Sequence, residues 1–391
     1  MKNKINTLDI FSGAGGLSFG FHMEGFDSLA AIEIDKWAAN SFRKNFPSAF
    51  VIQDDIKKLS CKHIGDMLAC DVDVIIGGPP CQGFSHANVV NHDPKDPRNS
   101  LFEEFVRLTK YFSPKAIVIE NVPPLLKART SLGEKVIEII NRELSDLDYD
   151  VFNTVLNASH YGVPQNRERL FIVGFKKCIN AKNKEIESFF ERHKKREISL
   201  WDAISDLPLI TSEHNNNNVL YEHDAKNDYQ IEMREGAPFY ISHHEPMRHT
   251  QRIIERFKMI GFGESEEDIP EEHAPLKRGN PKEKSTKKYS QNSRRQHPDH
   301  PCNAVVASSH TNFIHPYLHR NFTVRELMRI QSFPDRFSLY GKRAVLSKKL
   351  CEKKGLLDDM HLDQRMQIGN AVPPLLAKVV AQMVKEIAFT R

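Results

Sequence analysis

Five short apolar runs, Ile5 to Ile10, Leu29 to Glu33, Phe50 to Gln53, Val72 to Ile76 and Ala116 to Glu120, are each bounded by turn residues and read as strands. Stretches of helical period separate them at Gly16 to Glu24, Lys36 to Asn45 and Ser100 to Phe112. Strands alternating with amphipathic helices need crossover connections, so the pattern demands an α/β fold with a largely parallel, doubly wound, Rossmann-like sheet. Further strands are expected at Val151 to Leu156 and Leu170 to Phe175.

After Phe175 this rhythm gives way to polar and charged stretches, including the Asn215 to Asn218 run, read as a solvated loop, and the segment Glu264 to Arg295. Strand and helix signals resume near Val305, with an amphipathic stretch at Val324 to Ser332 and a closing helix at Pro374 to Ile387. The expected organisation is an α/β domain over 1–175, a smaller insert over 176–303, and a return segment over 304–391 that completes the first domain. A chain of 391 residues has room for two or three domains.

The net charge of +4 permits many partners and selects none. No apolar run reaches the length of a membrane span, and Met1-Lys-Asn-Lys-Ile-Asn lacks a signal peptide's apolar stretch, so a cytoplasmic protein without a membrane partner is expected. The six cysteines are scattered without a CxxC pair or a Cys/His cluster, so neither a disulfide framework nor a metal site is expected. His243-His244-Glu245 followed by His249 reads as a packed or solvated group rather than a metal site.

The chemistry-bearing residues gather where the strands end. Asp9-Ile-Phe-Ser-Gly-Ala-Gly-Gly-Leu-Ser-Phe-Gly20 leaves the first strand and opens a helix, where glycines let backbone approach a ligand, although a structural turn is the plain alternative. Glu33 ends the second strand, where an acid can accept from ribose hydroxyls; Asp35 can simply cap the following helix. Asp54-Asp-Ile56 ends the third strand and offers either a carboxylate for an adenine amine or a cap. Gly77-Gly-Pro-Pro-Cys-Gln-Gly-Phe-Ser85 follows the fourth strand, and its prolines and glycine hold Cys81 on a rigid exposed loop, as a nucleophile needs. Glu120-Asn-Val122 ends the fifth strand on the same rim. In Gln165-Asn-Arg-Glu-Arg-Leu-Phe-Ile-Val-Gly174, Arg167 and Arg169 are two apart at the start of a strand and can share a face; solvated surface arginines are the default alternative.

Taken in this order, the blocks closely resemble the DNA (cytosine-5) methyltransferase family of prokaryotic restriction-modification systems. The resemblance covers the first 175 residues nearly continuously. It resumes at Arg320-Asn-Phe-Thr-Val-Arg-Glu-Leu-Met-Arg-Ile-Gln-Ser-Phe-Pro-Asp335 and Gln367-Ile-Gly-Asn-Ala-Val-Pro-Pro374. It implies the S-adenosylmethionine-dependent methyltransferase fold and methylation of cytosine carbon 5 in a base flipped out of duplex DNA. Cys81 would add to carbon 6, Glu120 would hydrogen-bond N3 and the exocyclic amine, Arg169 would meet the carbonyl oxygen, and Arg167 would lie near the reacting centre or a phosphate. For S-adenosyl-L-methionine it implies Phe11 on the adenine, Glu33 on the ribose, Asp55 on the adenine amine, and Gly13, Gly15 and Asn370 at the methionine end. Pro80 joins this cofactor set. Ile34 stands where some relatives carry an aromatic residue, a departure at the second face of the adenine. No metal is implied.

The resemblance also makes the insert the target-recognition domain, reading base edges in double-stranded DNA. Ser85 is expected on a phosphate within the loop Gln82 to Arg98, with Arg98 as a further DNA contact. The segment Lys277 to Arg295 holds eight cations and one acid, Glu283, and reads as a phosphate-facing stripe with Lys287, Lys288, Arg294 and Arg295 as contacts; a solvated charge run is the alternative. Ser338 to Arg365 is long and highly charged, with no assigned role. An RNA cytosine-5 methyltransferase, a catalytically silent DNA-binding subunit or chain needing a second methyltransferase subunit, and a nicotinamide oxidoreductase are the other readings, while a cognate restriction endonuclease is a partner that the resemblance allows. The oxidoreductase reading lacks its GxGxxG turn.

Overall fold

The structure, a computed structural model, describes residues 4–68, 70–80, 100–130, 133–213, 219–277, 280–284, 292–307, 313–344, 348–356 and 360–390. It divides into two compact units, the first comprising Met1–Gly162, Arg167–Arg196 and Ala371–Arg391, the second Val163–Asn166 and Glu197–Asn370. The expected boundaries at 175 and 303 therefore move. Residues 176–196 stay with the first unit, and most of the expected return segment belongs to the second.

The first unit is built on a seven-stranded sheet of β1 (Ile5–Ile10), β2 (Phe26–Ile32), β3 (Phe50–Ile52), β4 (Val74–Gly77), β5 (Ala116–Asn121), β6 (Tyr149–Asn157) and β7 (Glu168–Lys176). The spatial order is β3-β2-β1-β4-β5-β7-β6. All neighbours are parallel except that β7 runs antiparallel to both β5 and β6. The expected doubly wound sheet is present. Parallel strands are covered on both faces, which is why β4 is apolar at every position before Gly77 and buried throughout. The order reverses between β1 and β4, and open α/β sheets bind ligands at the strand ends beside such a switch.

Helices α1 (Gly16–Met23), α2 (Lys36–Asn45), α3 (Cys61–Met67), α4 (Ser100–Phe112) and α5 (Val136–Asp146) follow strands and cover the sheet. Leu8, Ile10, Ile32, Ile75, Ile117 and Ile119 of the strands form one buried cluster with Ile64, Phe105, Leu108, Ile140 and Leu144 of the helices. The helix Pro374–Phe389 packs against α1, and their approach is set by Gly20: a Cβ there would stand 2.5 Å from the Lys378 backbone nitrogen. Glycine at this crossing is a packing requirement.

In the second unit short helices carry most of the regular structure, joined by two-residue strand pairings such as Gln165–Asn166 with Cys302–Asn303. At its centre the helix Val324–Ile330 is buried at every residue, Arg325, Glu326 and Arg329 included. This corrects the amphipathic reading, which assumed that the polar positions face water. They face ion partners instead. Arg320 holds Glu326 through two bonds of 2.8 and 2.7 Å, while Glu326 accepts from Thr323 N (2.7 Å) and Thr323 Oγ1 accepts from Glu326 N (3.1 Å), closing a capping box.

Candidate active site

The first strand-to-helix turn forms because it escapes ordinary backbone geometry. Phe11 has φ +58°, Gly13 +55° and Gly15, which precedes α1, +96°. A Cβ on Gly15 would also stand 2.6 Å from Phe46 Cε2 and 2.9 Å from Phe42 Cδ2. Gly15→Ala is therefore expected to cost about 1–3 kcal/mol, seen as a lower denaturation midpoint. An unchanged midpoint would contradict the packing argument.

Glu33 is held against this turn. One carboxylate oxygen accepts from Gly13 N at 2.8 Å, the other from Asp35 N at 2.8 Å. Burial raises its pKa above the ordinary carboxylate range, against the pull of these backbone donors. Asp35 caps α2 by accepting from Trp37 N and Ala38 N, both at 3.0 Å. Asp55 likewise accepts from Lys57 N at 3.1 Å and caps the short turn Ile56–Lys58, so both acids do capping work. Ile34 is 66% exposed, an unusual state for an isoleucine, and Pro80 is exposed as well. Asn370 ends the helix Gln364–Asn370 in the second unit.

The sequence reading missed two buried polar atoms in this turn. Asp9, at 1% exposure, accepts from Ser18 Oγ through one oxygen, and its other oxygen has no hydrogen-bond partner among the described residues; nor has Ser12 Oγ. Burial pushes the Asp9 carboxyl up to about 8. Its position inside the glycine-rich block was the available signal, but aspartate next to a glycine turn reads equally as a cap.

At the other side of the switch, Glu120 stands near the end of β5 and opposite Phe171 of β7. Its Oε1 is 2.8 Å from Arg169 Nε, with the side chains only 12% and 16% exposed. Burial raises the Glu120 pKa, while Arg169 and then Arg167 pull it back down. The net direction is upward, toward the protonated form. Arg169 also donates to Glu168 O at 2.7 Å, and burial lowers its pKa.

Arg167 is 2% exposed; its N donates to Asn157 Oδ1 at 3.1 Å and its Nη2 to Ala371 O at 3.2 Å. Burial, followed by the charge of Arg169, lowers it to about 9. A phosphate contact would need an accessible guanidinium, so that alternative is corrected: Arg167 braces the strand. The charges of both arginines bear on Glu120, and neither is a solvated surface residue.

Gly78 lies beside the acid, for a Cβ on it would be 3.1 Å from Glu120 Oε2. The next carbonyl, Pro79 O, accepts from Asn121 Nδ2 at 3.1 Å. The strand that carries Glu120 therefore also anchors the arm leading to residue 81, a role for Asn121 that sequence reading left unassigned. Cys81 itself, with Ser85, Arg98, Lys287 and Lys288, lies outside the described residues.

Arg295 corrects the expected DNA-facing stripe. It is 4% exposed and donates to the carbonyls of Ile260 (2.6 Å), Phe257 (2.5 Å), His315 (2.7 Å) and Pro316 (3.0 Å), so it knits the second unit together. Arg294 remains half-buried, with Nη1 donating to Gly263 O at 2.5 Å.

The histidine group is packed. His244 bridges Thr323 Oγ1 and Pro208 O, both at 2.9 Å; His243 Nε2 accepts from Leu339 N at 3.2 Å, and His249 Nε2 from Asn321 N at 3.3 Å. His315 Nδ1 accepts from the Tyr317 and Leu318 amides at 3.1 Å. Burial lowers His243, His244 and His249 to about 4 and His315 to about 3. Because these pKa values are depressed, the histidines stabilise the fold fully above the unfolded value near 6.5, and that contribution is lost as pH falls toward 4. Hydrogen exchange in the helix Val324–Ile330 is expected to quicken sharply between pH 7 and 5, after correction for the intrinsic rate. Unchanged protection at pH 5 would defeat this account.

Comparison with known proteins agrees with the geometry. The family model for C-5 cytosine-specific DNA methylase matches residues 5–386. The type II methyltransferase M.DdeI of Desulfomicrobium norvegicum is 44% identical over 97% of this chain and 88% of its own length. The type II methyltransferase M1.HphI of Haemophilus parahaemolyticus is 35% identical over 97% of this chain and 86% of its own. Among solved structures, a prophage-encoded E. coli protein described as a DNA modification methyltransferase superposes with TM-score 0.74 at 27% identity, covering 98% of this chain and 99% of that one. Dnmt2 of S. pombe, at 15% identity and TM-score 0.54, shares the fold.

Proposed function

This chain belongs to the C-5 cytosine-specific DNA methylase family and is a DNA (cytosine-5) methyltransferase of the type II class, and on that premise we propose how its residues divide the reaction. The observation that carries the proposal is the buried Glu120–Arg169 pair beside the arm of Cys81. Cytosine carbon 5 is a weak nucleophile until a thiolate adds to carbon 6. The Cys81 sulfur forms that bond, electron density moves toward N3, and Glu120 supplies the proton or hydrogen bond that neutralises it. Arg169 keeps Glu120 in place and, with its charge only partly offset, donates to the base's carbonyl oxygen. Carbon 5, made enamine-like by that addition, would take the methyl group, and loss of the carbon 5 proton with β-elimination of the Cys81 sulfur then restores the ring.

C-5 methyltransferases use S-adenosylmethionine, which supplies an activated methyl group when bound. The first unit fits it. Among the described residues one Asp9 oxygen and Ser12 Oγ are buried without a hydrogen-bond partner, the positive-φ turn bars a side chain at Gly15, and Ile34 presents apolar surface to solvent. Phe11, Gly13, Gly15, Glu33, Ile34, Asp55 and Pro80 would hold it; Glu33 keeps lone pairs for ribose hydroxyls beyond its two backbone donors.

The substrate is duplex DNA, with Ser85, Arg98, Lys287, Lys288 and Arg294 as phosphate contacts, and the chain serves as the modification arm of a restriction-modification system. Bisulfite sequencing of host DNA after expression is expected to show 5-methylcytosine in one short recurring sequence, abolished by Cys81→Ser. Unmodified DNA from well-folded protein with cofactor present would defeat the proposal.

A further inference from the structure

We propose that Gln165 is a positioning residue, which fixes Arg167 and Arg169 at the start of β7. The proposal rests on the catalytic reading of Arg169 given above.

Gln165 is fully buried and every polar atom of its side chain is engaged within the second unit. Its Nε2 donates to Ile330 O at 3.2 Å and Gln331 Oε1 at 2.9 Å, while its Oε1 accepts from Val305 N at 2.7 Å. Gln331 is anchored in turn, donating to Ile368 O at 2.7 Å. The backbone adds to the grip: Gln165–Asn166 pairs in parallel with Cys302–Asn303, and Cys302 N donates to Pro164 O at 2.9 Å.

The chain passes from the second unit to the first between Asn166 and Arg167. Arg167 alone separates the clamped strand from β7, whose second residue is Arg169. With a single residue between them, the clamp on Gln165 sets where β7 begins and so where both guanidiniums are placed. The clamp in turn connects to the segment expected to face DNA. Gln296 Oε1 accepts from Asn303 N at 3.0 Å and from Cys302 Sγ at 3.4 Å, and Gln296 follows directly on Arg294 and Arg295. A continuous set of bonds therefore runs from Arg294 through Gln296, Cys302 and Asn303 to the strand Gln165–Asn166, and covalently onward to Arg169.

The test uses the full-length chain with the duplex it methylates. Gln165→Met keeps the volume and removes the three bonds; Gln331→Met removes a partner while leaving Gln165 in place. Each is expected to lower single-turnover methylation on the order of 10- to 100-fold, because small misplacements of a catalytic group have that effect. S-adenosylmethionine affinity and duplex affinity should stay close to wild type, while the melting temperature falls by a few degrees because buried partners are left unpaired. The double variant should be no slower than the slower single one, since both break one clamp. A wild-type rate in both variants would overturn the inference, as would a rate loss matched by an equal loss of cofactor affinity, or one accounted for by the unfolded fraction at the assay temperature. Should the wild-type chain make no 5-methylcytosine, it is the functional reading that fails; an active wild type with silent variants sinks the positioning role alone.

Discussion

Glu120→Gln is expected to lower kcat by about 10²- to 10⁴-fold, the range for loss of a positioned general acid. Glutamine keeps the shape and an acceptor for Arg169 Nε, which lies 2.8 Å from the native carboxylate, but it can neither give up nor take a proton. The loss should fall on kcat, with cofactor affinity untouched, because the acid stands at the β5 end of the rim while Glu33 and the glycine turn stand at the ends of β2 and β1. The pH dependence has a definite sign. Burial raises the Glu120 pKa, so the group holds its proton at low pH and loses it as pH rises; the alkaline fall in rate should carry its signature. In Glu120→Gln that limb should vanish from the residual activity. Glu120→Ala is the poorer test, since it strands the buried Arg169 charge and mixes a stability loss into the rate. A glutamine variant within threefold of wild-type kcat would remove Glu120 from the chemistry.

The elements that position this site were legible because apolar period and turn chemistry agree there. The bounds Lys36–Asn45 and Ser100–Phe112 match the sequence reading residue for residue. For the first of these, Asp35 supplies the start signal and actually performs the cap. β2 begins earlier than expected, at Phe26, since Asp27 and Ser28 interrupt the apolar run while remaining paired with β1. Residue chemistry at the strand ends was also visible, but what each group spends its bonds on was not. Asp55 looks the same in sequence whether it meets an adenine or closes a turn, and Arg294 and Arg295 are neighbours in one charge run although only Arg295 is buried. The second unit was the least legible part. Its strands are two residues long, and its core contains arginines that hydropathy assigns to the surface.

Those arginines set the second large expectation: Arg329→Met should be the most damaging change in the central helix of the second unit, costing about 3–5 kcal/mol, the range for removing one partner of a buried ion pair. Arg329 has no exposed surface and holds two buried acids at once, Asp335 (2.7 and 2.6 Å) and Asp206 (both 3.1 Å), besides donating to Ala203 O at 3.0 Å. Burial alone would raise the Asp335 pKa; the Arg329 guanidinium holds it below the ordinary carboxylate range. Removing the guanidinium leaves both carboxyls to take up protons or water inside the core. Asp206 retains Arg234 at 2.7 Å and Asp335 retains Tyr221 and a longer pair to Arg325 at 3.4 Å, so the loss is large but not unlimited. Arg325→Met should cost less, because its only carboxylate contact among the described residues is that 3.4 Å pair and its other bonds go to Ser242 and to carbonyls. Urea unfolding of the two variants at pH 7 orders them; an Arg329 variant no less stable than the Arg325 variant would show that Asp206 and Asp335 do not depend on this guanidinium. The same removal should harm methylation only in proportion to the unfolded fraction, since Arg329 touches neither Gln331's side chain nor the clamp on Gln165, and that separates a loss of stability from a loss of positioning.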